Sequence, residues 1–199
     1  MSIADDPDAR AGALAQIIGA RAASSTRPFI VAIDGRSGVG KSTLAKRLAA
    51  RLSGALIEGD DFFAGGVGVR ADPPEILARD CIDWRRLADV LRDVIANRPA
   101  RYRPFDWQAF DGSLSARATI IRPRPIIIVE GVYAARPELG DLVDHRVLLH
   151  LDEDERMRRL LDREGEISPW ERQWHRAEDW YFANVAMPDH FDTVMGKLV

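Results

Sequence analysis

Apolar and polar positions in this chain switch between a period near 3.6 and short unbroken apolar runs, and that switching sketches a fold. Leu14, Ile17, Ile18 and Arg21 recur at helical spacing, so the stretch from about Asp8 to Ala23 reads as an amphipathic helix closed by the linker Ser24-Ser25-Thr26. A β-rich apolar run, Phe29 to Ile33, follows between Pro28 and Gly35, as a buried strand requires. A helix from Lys41 carries Leu44, Leu48 and Leu52 on one face with Gly54 as its stop, and Ala55 to Glu58 reads as a second short strand. Strand, helix, strand in that order implies a parallel sheet.

The alternation continues. Asp83 is placed to N-cap a helix whose Trp84, Leu87, Leu91 and Val94 share a face, ending near Asn97 and Pro99. Residues 101–121 mix aromatic, acidic and basic groups around Gly112 and read as a loop or hairpin excursion. Pro125 to Val129 and Arg146 to Leu151 are buried strands, separated by a helical turn at Pro137 to Leu142. From Glu153 to Glu164, Met157, Leu160 and Leu161 occupy one side of a helix, Arg156, Arg159 and Arg163 another, and Gly165 closes it. Ser168-Pro169-Trp170-Glu171 is a capping box with proline at its first helical position. The helix it opens carries Trp170, Trp174, Ala177 and Tyr181 on one stripe, a packing surface or a base-stacking platform.

These elements predict an α/β fold: three layers around a central, mostly parallel sheet. One domain is expected, with an N-terminal helix and linker over 1–27 and a core over 28–151. An excursion at about 62–121, a lid region over 152–168 and a C-terminal helix and strand over 169–199 complete it. At 199 residues, 46% apolar and 30% charged, the chain is the size of one globular domain, and a net charge of -3 gives no electrostatic case for nucleic acid or anionic membrane. No apolar run approaches the roughly 18 residues that span a bilayer. Asp5, Asp6 and Asp8 are unlike a signal or transit segment. Cys81, the single cysteine, excludes an intramolecular disulfide and a zinc cluster and fits a reducing, cytoplasmic location. A homo-oligomer stays open.

The chemistry starts at Gly35-Arg36-Ser37-Gly38-Val39-Gly40-Lys41-Ser42, a complete G-x-x-x-x-G-K-S between a strand and a helix. Glycines let backbone N–H groups converge on phosphate oxygens, the helix N-terminus adds a favourable dipole, and the Lys41 ammonium reaches the β- and γ-phosphates. Gly35, Ser37, Gly38, Val39, Gly40, Lys41, Ser42 and Thr43 are therefore the candidate ATP-binding residues, with Ser42 on Mg²⁺. No Asn-Lys-x-Asp stretch of a GTPase occurs, and the apolar strand ends Val129-Glu130-Gly131 with one carboxylate, unlike the Asp-Glu of AAA-type machines.

With GRSGVGKST, DDFF at Asp60 to Phe63, PFDW at Pro104 to Trp107, IVEGVY at Ile128 to Tyr133 and DERMRRLLDRE at Asp154 to Glu164, the chain resembles the uridine kinase-like family of P-loop small-molecule kinases. That family also holds phosphoribulokinase, bacterial pantothenate kinase and nicotinamide riboside kinase. The resemblance covers roughly Pro28 to Glu164. It implies a three-layer P-loop NTPase fold with a small helical lid, and transfer of the γ-phosphoryl group of Mg-ATP to a hydroxyl of a small molecule, a nucleoside such as uridine or cytidine first. Another nucleoside, pantothenate or a sugar phosphate are the alternatives, and a non-kinase nucleotide switch is the reading from another class.

The resemblance places the base that accepts the hydroxyl proton at Asp60. Side chains adjacent on a strand end point to opposite faces, so Asp60 and Asp61 cannot both aim at the phosphate, and Asp61 is expected as a turn or helix cap. Asp60 as base or Mg²⁺-side carboxylate competes with a plain turn residue. Glu130, at the C-terminal end of a central strand, is expected on the Mg²⁺ side, against a structural hydrogen-bonded role. Arg159 and Arg163 match the lid arginines that clamp the transferring phosphate, although a stripe mixed with Glu155, Asp162 and Glu164 is also an ordinary solvated face. Phe62, Phe105, Asp106, Trp107 and Phe110 are candidates for the acceptor site. Here the sequence departs from the nucleoside kinases: the position that carries their ribose-holding acid is Leu77, and Glu75 or Asp80 would have to substitute. His175 and His190 lack metal-ligand spacing and read as unremarkable.

Overall fold

In a computed structural model that describes residues 7–196, the predicted alternation closes into three layers. The order is α1 (Pro7–Ala22), β1 (Phe29–Asp34), α2 (Lys41–Leu52), β2 (Ala55–Glu58), α3 (Pro74–Asp80) and α4 (Trp84–Ile95). Then follow β3 (Ala100–Tyr102), β4 (Thr119–Ile121), β5 (Ile126–Glu130), β6 (His145–Leu149), α5 (Glu153–Glu164), α6 (Pro169–Asn184) and β7 (Thr193–Met195). Five strands in the order β2-β5-β1-β6-β7 form the central sheet, every neighbouring pair parallel. Asp5 and Asp6 lie outside the described residues.

The pleat explains the layers. Along β1, Phe29, Val31 and Ile33 join the cluster that contains Leu14 and Ile18 of α1 and Leu44 and Leu48 of α2. Ile30 and Ala32 face the other way, into the cluster with Leu77 of α3, Leu87 and Leu91 of α4, and Trp174 and Ala177 of α6. β5 divides likewise, Ile126 and Ile128 to the first side, Ile127 and Val129 to the second. Both faces are covered, so β1 and β5 are buried at every position and read as unbroken apolar runs. Each fully buried Ile or Val there stabilises by about 1.5–3 kcal/mol.

Capping follows the sequence closely. The Asp83 side chain accepts from Arg86 N–H at 3.1 Å, and the Ser168–Glu171 capping box forms in both directions. Gly54 does not act as the helix stop: Ser53 takes the left-handed conformation at φ 51° instead. Gly54 serves a close approach, since a Cβ there would stand 3.0 Å from the Ile126 carbonyl oxygen. The excursion is a real hairpin, β3 pairing antiparallel with β4. α3, which packs against α6, has no counterpart in the sequence pattern, being only seven residues long.

Candidate active site

The loop from Gly35 to Gly40 leaves β1 and enters α2 at the C-terminal edge of the sheet. Gly38 and Gly40 sit at φ 86° and 97°, a region only glycine takes freely, and Gly40 is the N-cap of α2. A Cβ on Gly35 would fall 2.3 Å from the Leu149 carbonyl oxygen. The loop borders a cavity of about 340 Å³ whose wall includes Gly38, Gly40, Lys41, Ser42 and Thr43, with Ser37 at its rim. Lys41 is buried and its Nζ donates to the Arg36 carbonyl at 3.1 Å. Backbone amides, a helix N-terminus and a buried ammonium make this a receptor for phosphate. Gly35 and Val39 do not border it; Val39 packs on the opposite side, beside Leu149 and Phe182.

Glu130 enters the same cavity from the end of β5, 6% exposed. Burial pushes its carboxyl above the usual range, and the Ser42 hydroxyl and Lys41 pull it back down. Glu130 and Ser42 are hard oxygen ligands. Among the described residues no group of three or more His, Cys, Asp or Glu is built to cage a metal. A magnesium ion carried by a nucleotide does not need one, since one or two protein ligands with phosphate oxygens and water complete its octahedron. The residues therefore fit Mg²⁺.

The two adjacent aspartates separate, but not by strand alternation. β2 ends at Glu58, and Gly59–Phe62 form a single 3₁₀ turn that carries both. Asp61 is half-buried and accepts from the Tyr102 hydroxyl at 2.8 Å. Burial raises its carboxyl above the ordinary value, against that hydrogen bond, with Glu58 and Asp60 adding to the rise. Its backbone carbonyl takes the Phe105 N–H at 2.8 Å and the Arg86 guanidinium at 3.0 Å, which ties the hairpin to the turn. Asp60 is exposed and borders the phosphate cavity.

Asp60 also borders a second, larger cavity of about 530 Å³, and Ser37, Val132 and Arg163 are common to both walls. One wall of the second cavity is aromatic: Phe63, Trp107, Phe110, Trp170 and Trp174. The rings hold one another, Phe63 lying 5.0 Å from Trp107 and 5.5 Å from Trp174 between centroids. The rest is acidic, with Glu58, Asp61, Glu164, Glu171 and Glu178 beside Asp60, against Arg163 and His175. Trp107 and Phe110 thus reach the site, whereas the other acceptor candidates do not. Phe62 is fully buried against Tyr102, and Phe105 is core between Phe63 and Trp107. Asp106 caps the N–H groups of Gln108 and Ala109, and Asp80 pairs with Arg70 and Arg79. Leu77 lies in the core, and Glu75 is not on the cavity wall. The 3₁₀ turn accounts for Phe62: it sends the first phenylalanine inward and leaves the second at the surface of the cavity.

The lid helix α5 lies directly on the loop. A Cβ on Gly38 would stand 2.9 Å from Leu160 Cγ. Arg156 is 3% exposed and donates to the Ser37 carbonyl at 3.1 Å while paired with Glu153, so it pins the helix. Arg159 borders the phosphate cavity and pairs with Glu155; Arg163 stands where the two cavities meet.

Sequence reasoning missed a hub. Asp34, at the end of β1, accepts from the N–H groups of Gly35, Tyr133 and Ala135 at 2.8, 3.0 and 3.0 Å and from the Tyr181 hydroxyl at 3.0 Å. It joins the phosphate loop, the loop after β5 and α6. Complete burial pushes its carboxyl up to about 6 despite those donors and Lys41. Tyr133, held this way, adopts φ 70°, strained for a non-glycine residue. Glu178 of α6 was missed as well: it takes Ser37 N–H at 2.8 Å and Ser37 Oγ at 2.5 Å. The helix read as packing therefore touches the phosphate loop and also walls the second cavity, His175 included. The Val-Glu-Gly-Val-Tyr stretch and the Glu178-Asp179 pair were the available signals.

A family model described as AAA domain matches residues 31–180. Named uridine kinases are similar in sequence: one from Clostridium botulinum (strain Kyoto / Type A2) is 30% identical over 149 residues, 68% of each chain. Another, from Limosilactobacillus reuteri (strain DSM 20016), is 26% identical over 145 residues. That match takes in 69% of this chain and 66% of the relative, so the chain spans about two thirds of the length of these curated relatives. Among solved structures, a possible uridine kinase from Bacillus stearothermophilus superposes with a TM-score of 0.72 at 20% identity, over 94% of this chain and 97% of that one. D-glycerate 3-kinase from Cryptococcus neoformans gives 0.59 at 15% identity over 86% of each. At those identities the two structures show the fold, an α/β P-loop kinase fold.

Proposed function

The chain belongs to the uridine kinase-like family of P-loop kinases, its AAA domain match spanning residues 31–180, and from that premise we propose that it transfers the γ-phosphoryl group of ATP to a hydroxyl of a small, non-anionic acceptor, a nucleoside in the first place. One observation carries the reading. Asp60 borders both the phosphate cavity and the aromatic, acidic cavity, so a hydroxyl bound in the second meets a carboxylate at the edge of the first.

Asp60 accepts the hydroxyl proton as the acceptor oxygen forms its bond to the γ-phosphorus and the bridging oxygen leaves with ADP. Lys41 and the loop amides hold the phosphates in line. Ser42 and Glu130 hold Mg²⁺, which when bound supplies charge neutralisation for the phosphate oxygens. Arg163 and Arg159, on a helix already seated on the loop, stabilise charge that develops during transfer, and α5 with the aromatic wall keeps water from competing with the acceptor. The aromatic wall suits a planar base, and its acidic surroundings repel carboxylates and phosphates. That orders the acceptors: uridine and cytidine ahead of pantothenate and sugar phosphates.

The test is acceptor-dependent ADP release from the purified protein with Mg-ATP against nucleosides, polyols, pantothenate and sugar phosphates. Turnover with a nucleoside and none with the anions is expected. ATP binding without acceptor-dependent turnover across the panel would instead support a nucleotide-dependent switch.

A further inference from the structure

Ser37 borders both cavities, yet both of its donors and its carbonyl are already engaged. Its N–H donates to one Glu178 carboxylate oxygen at 2.8 Å and its hydroxyl to the other at 2.5 Å, while its carbonyl accepts from Arg156 at 3.1 Å. Two of these bonds run to α6 and the third to α5. One residue of the phosphate loop is thus the junction between the helix that walls the acceptor cavity and the helix that carries Arg159 and Arg163. Glu178 and Arg156 are 4% and 3% exposed, so these charge-assisted bonds are sheltered from water.

The grip of α6 on the loop extends beyond Ser37. Asp179 pairs with Arg36, and the Tyr181 hydroxyl donates to Asp34, so a single turn of the helix engages three of the four residues from Asp34 to Ser37. On its acceptor side the same helix presents Trp174, four residues before Glu178 and on the same face, and both border the cavity of about 530 Å³. Trp174 Nε1 and the hydroxyl of Tyr133, another residue of that wall, are buried without a hydrogen-bond partner. Leaving such groups unpaired is costly, and a ligand that pairs with Trp174 gains by engaging α6 itself.

We propose that Glu178 is a positioning residue that ties the acceptor wall to the phosphate loop. An acceptor seated against α6 fixes Glu178, Glu178 fixes Ser37, and Ser37 with Arg156 sets where α5 holds Arg163 beside the transferring phosphate. Ser37 serves as this link and not as a phosphate ligand. Nucleotide and acceptor therefore strengthen each other's binding, by the same factor in both directions. This rests on the kinase reading of the site.

The experiment measures the affinity of a fluorescent, non-hydrolysable ATP analogue with and without saturating acceptor. The acceptor is the compound that gives the fastest ADP release in the panel above, and the proteins are the wild type, Glu178→Gln, Glu178→Ala and Ser37→Ala. Thermal melts and steady-state kinetics run in parallel. In the wild type the acceptor tightens the analogue by about fivefold or more. Glu178→Gln, which still accepts the Ser37 N–H, keeps most of that factor. Glu178→Ala brings it to near one and lowers kcat, while analogue affinity without acceptor holds. Ser37→Ala, which loses the hydroxyl bond and keeps the amide bond, falls between, and it carries the test if Glu178→Ala does not fold. A wild type in which the acceptor leaves analogue affinity unchanged overturns the proposal. So does a lowered melt with an undiminished factor in Glu178→Ala or Ser37→Ala, which marks Glu178 as an anchor only; either result leaves the kinase intact. No acceptor-dependent ADP release with any compound removes the kinase reading itself, and the role of Glu178 with it.

Discussion

Replacing Asp60 and Asp61 one at a time by asparagine separates chemistry from architecture in two residues that are adjacent and chemically identical. Asparagine cannot accept the hydroxyl proton, and a positioned general base contributes on the order of 10²–10⁴ in rate, about 3–5 kcal/mol of barrier. Asp60 has no side-chain hydrogen bond among the described residues, so Asp60→Asn should leave the thermal midpoint within about 1 °C and nucleotide binding intact. Asp61 is the reverse case. Its carboxylate holds the Tyr102 hydroxyl at 2.8 Å, a bond worth about 1.5–3 kcal/mol to a charged acceptor. Asparagine keeps one acceptor oxygen and relieves repulsion from Glu58 and Asp60, which leaves a net loss of about 1 kcal/mol. For a chain of 199 residues that is a fall of about 2–4 °C. The assay pairs coupled ADP release at saturating ATP with a thermal melt. Asp60→Asn inactive and fully stable, with Asp61→Asn active and less stable, is the expected result. An inactive Asp61→Asn with an unchanged melt, beside an active Asp60→Asn, would refute the assignment.

Three further outcomes follow from the geometry. Because burial raises the Asp34 carboxyl from 3.8 to about 6, its contribution to stability is complete below the ordinary carboxylate pKa and is lost as pH rises through about 6. The unfolding free energy of the wild type relative to Asp34→Asn should therefore fall by about 2 kcal/mol between pH 4 and 7 in urea titrations, and a gap that is flat or grows with pH contradicts it. At Gly65 a Cβ would stand 2.3 Å from Trp174 Cη2, so Gly65→Ala should displace the aromatic wall, costing about 1–3 kcal/mol and raising KM for the acceptor while KM for ATP holds. Arg163→Met should lower kcat by about tenfold or more without altering the melt, whereas Arg156→Met should destabilise by about 1–3 kcal/mol, since it leaves the buried contact to the Ser37 carbonyl and Glu153 unmade. Equal behaviour of the two arginine variants would show that the lid acts only as a cover.

Much of this molecule is legible along the chain because the signals are local. The unbroken apolar runs at β1 and β5, the capping residues Asp83 and Ser168, and the glycine pattern from Gly35 to Gly40 each depend on a few neighbouring residues, so order, helix starts and the phosphate loop follow from sequence alone. The parallel sheet follows with them, since strands joined through helices have few other ways to pair. What the chain does not encode locally is which side chains face a common space. That Asp60 and not Asp61 borders both cavities depends on a 3₁₀ turn held by Tyr102, Phe105 and Arg86, 25 to 44 residues away in sequence. The same turn buries Phe62 and turns Phe63 toward the cavity. Asp34 becomes a hub only when β5 and α6 bring Tyr133, Ala135 and Tyr181 to it, and Glu178 reaches Ser37 across 141 residues. The sequence by itself determined the phosphate-binding loop and the parallel α/β frame, because hydrophobic period and glycine conformation are short-range. Only the tertiary structure decided which carboxylate borders both cavities, because a cavity is made by elements whose contacts exist after the sheet and its helices have packed.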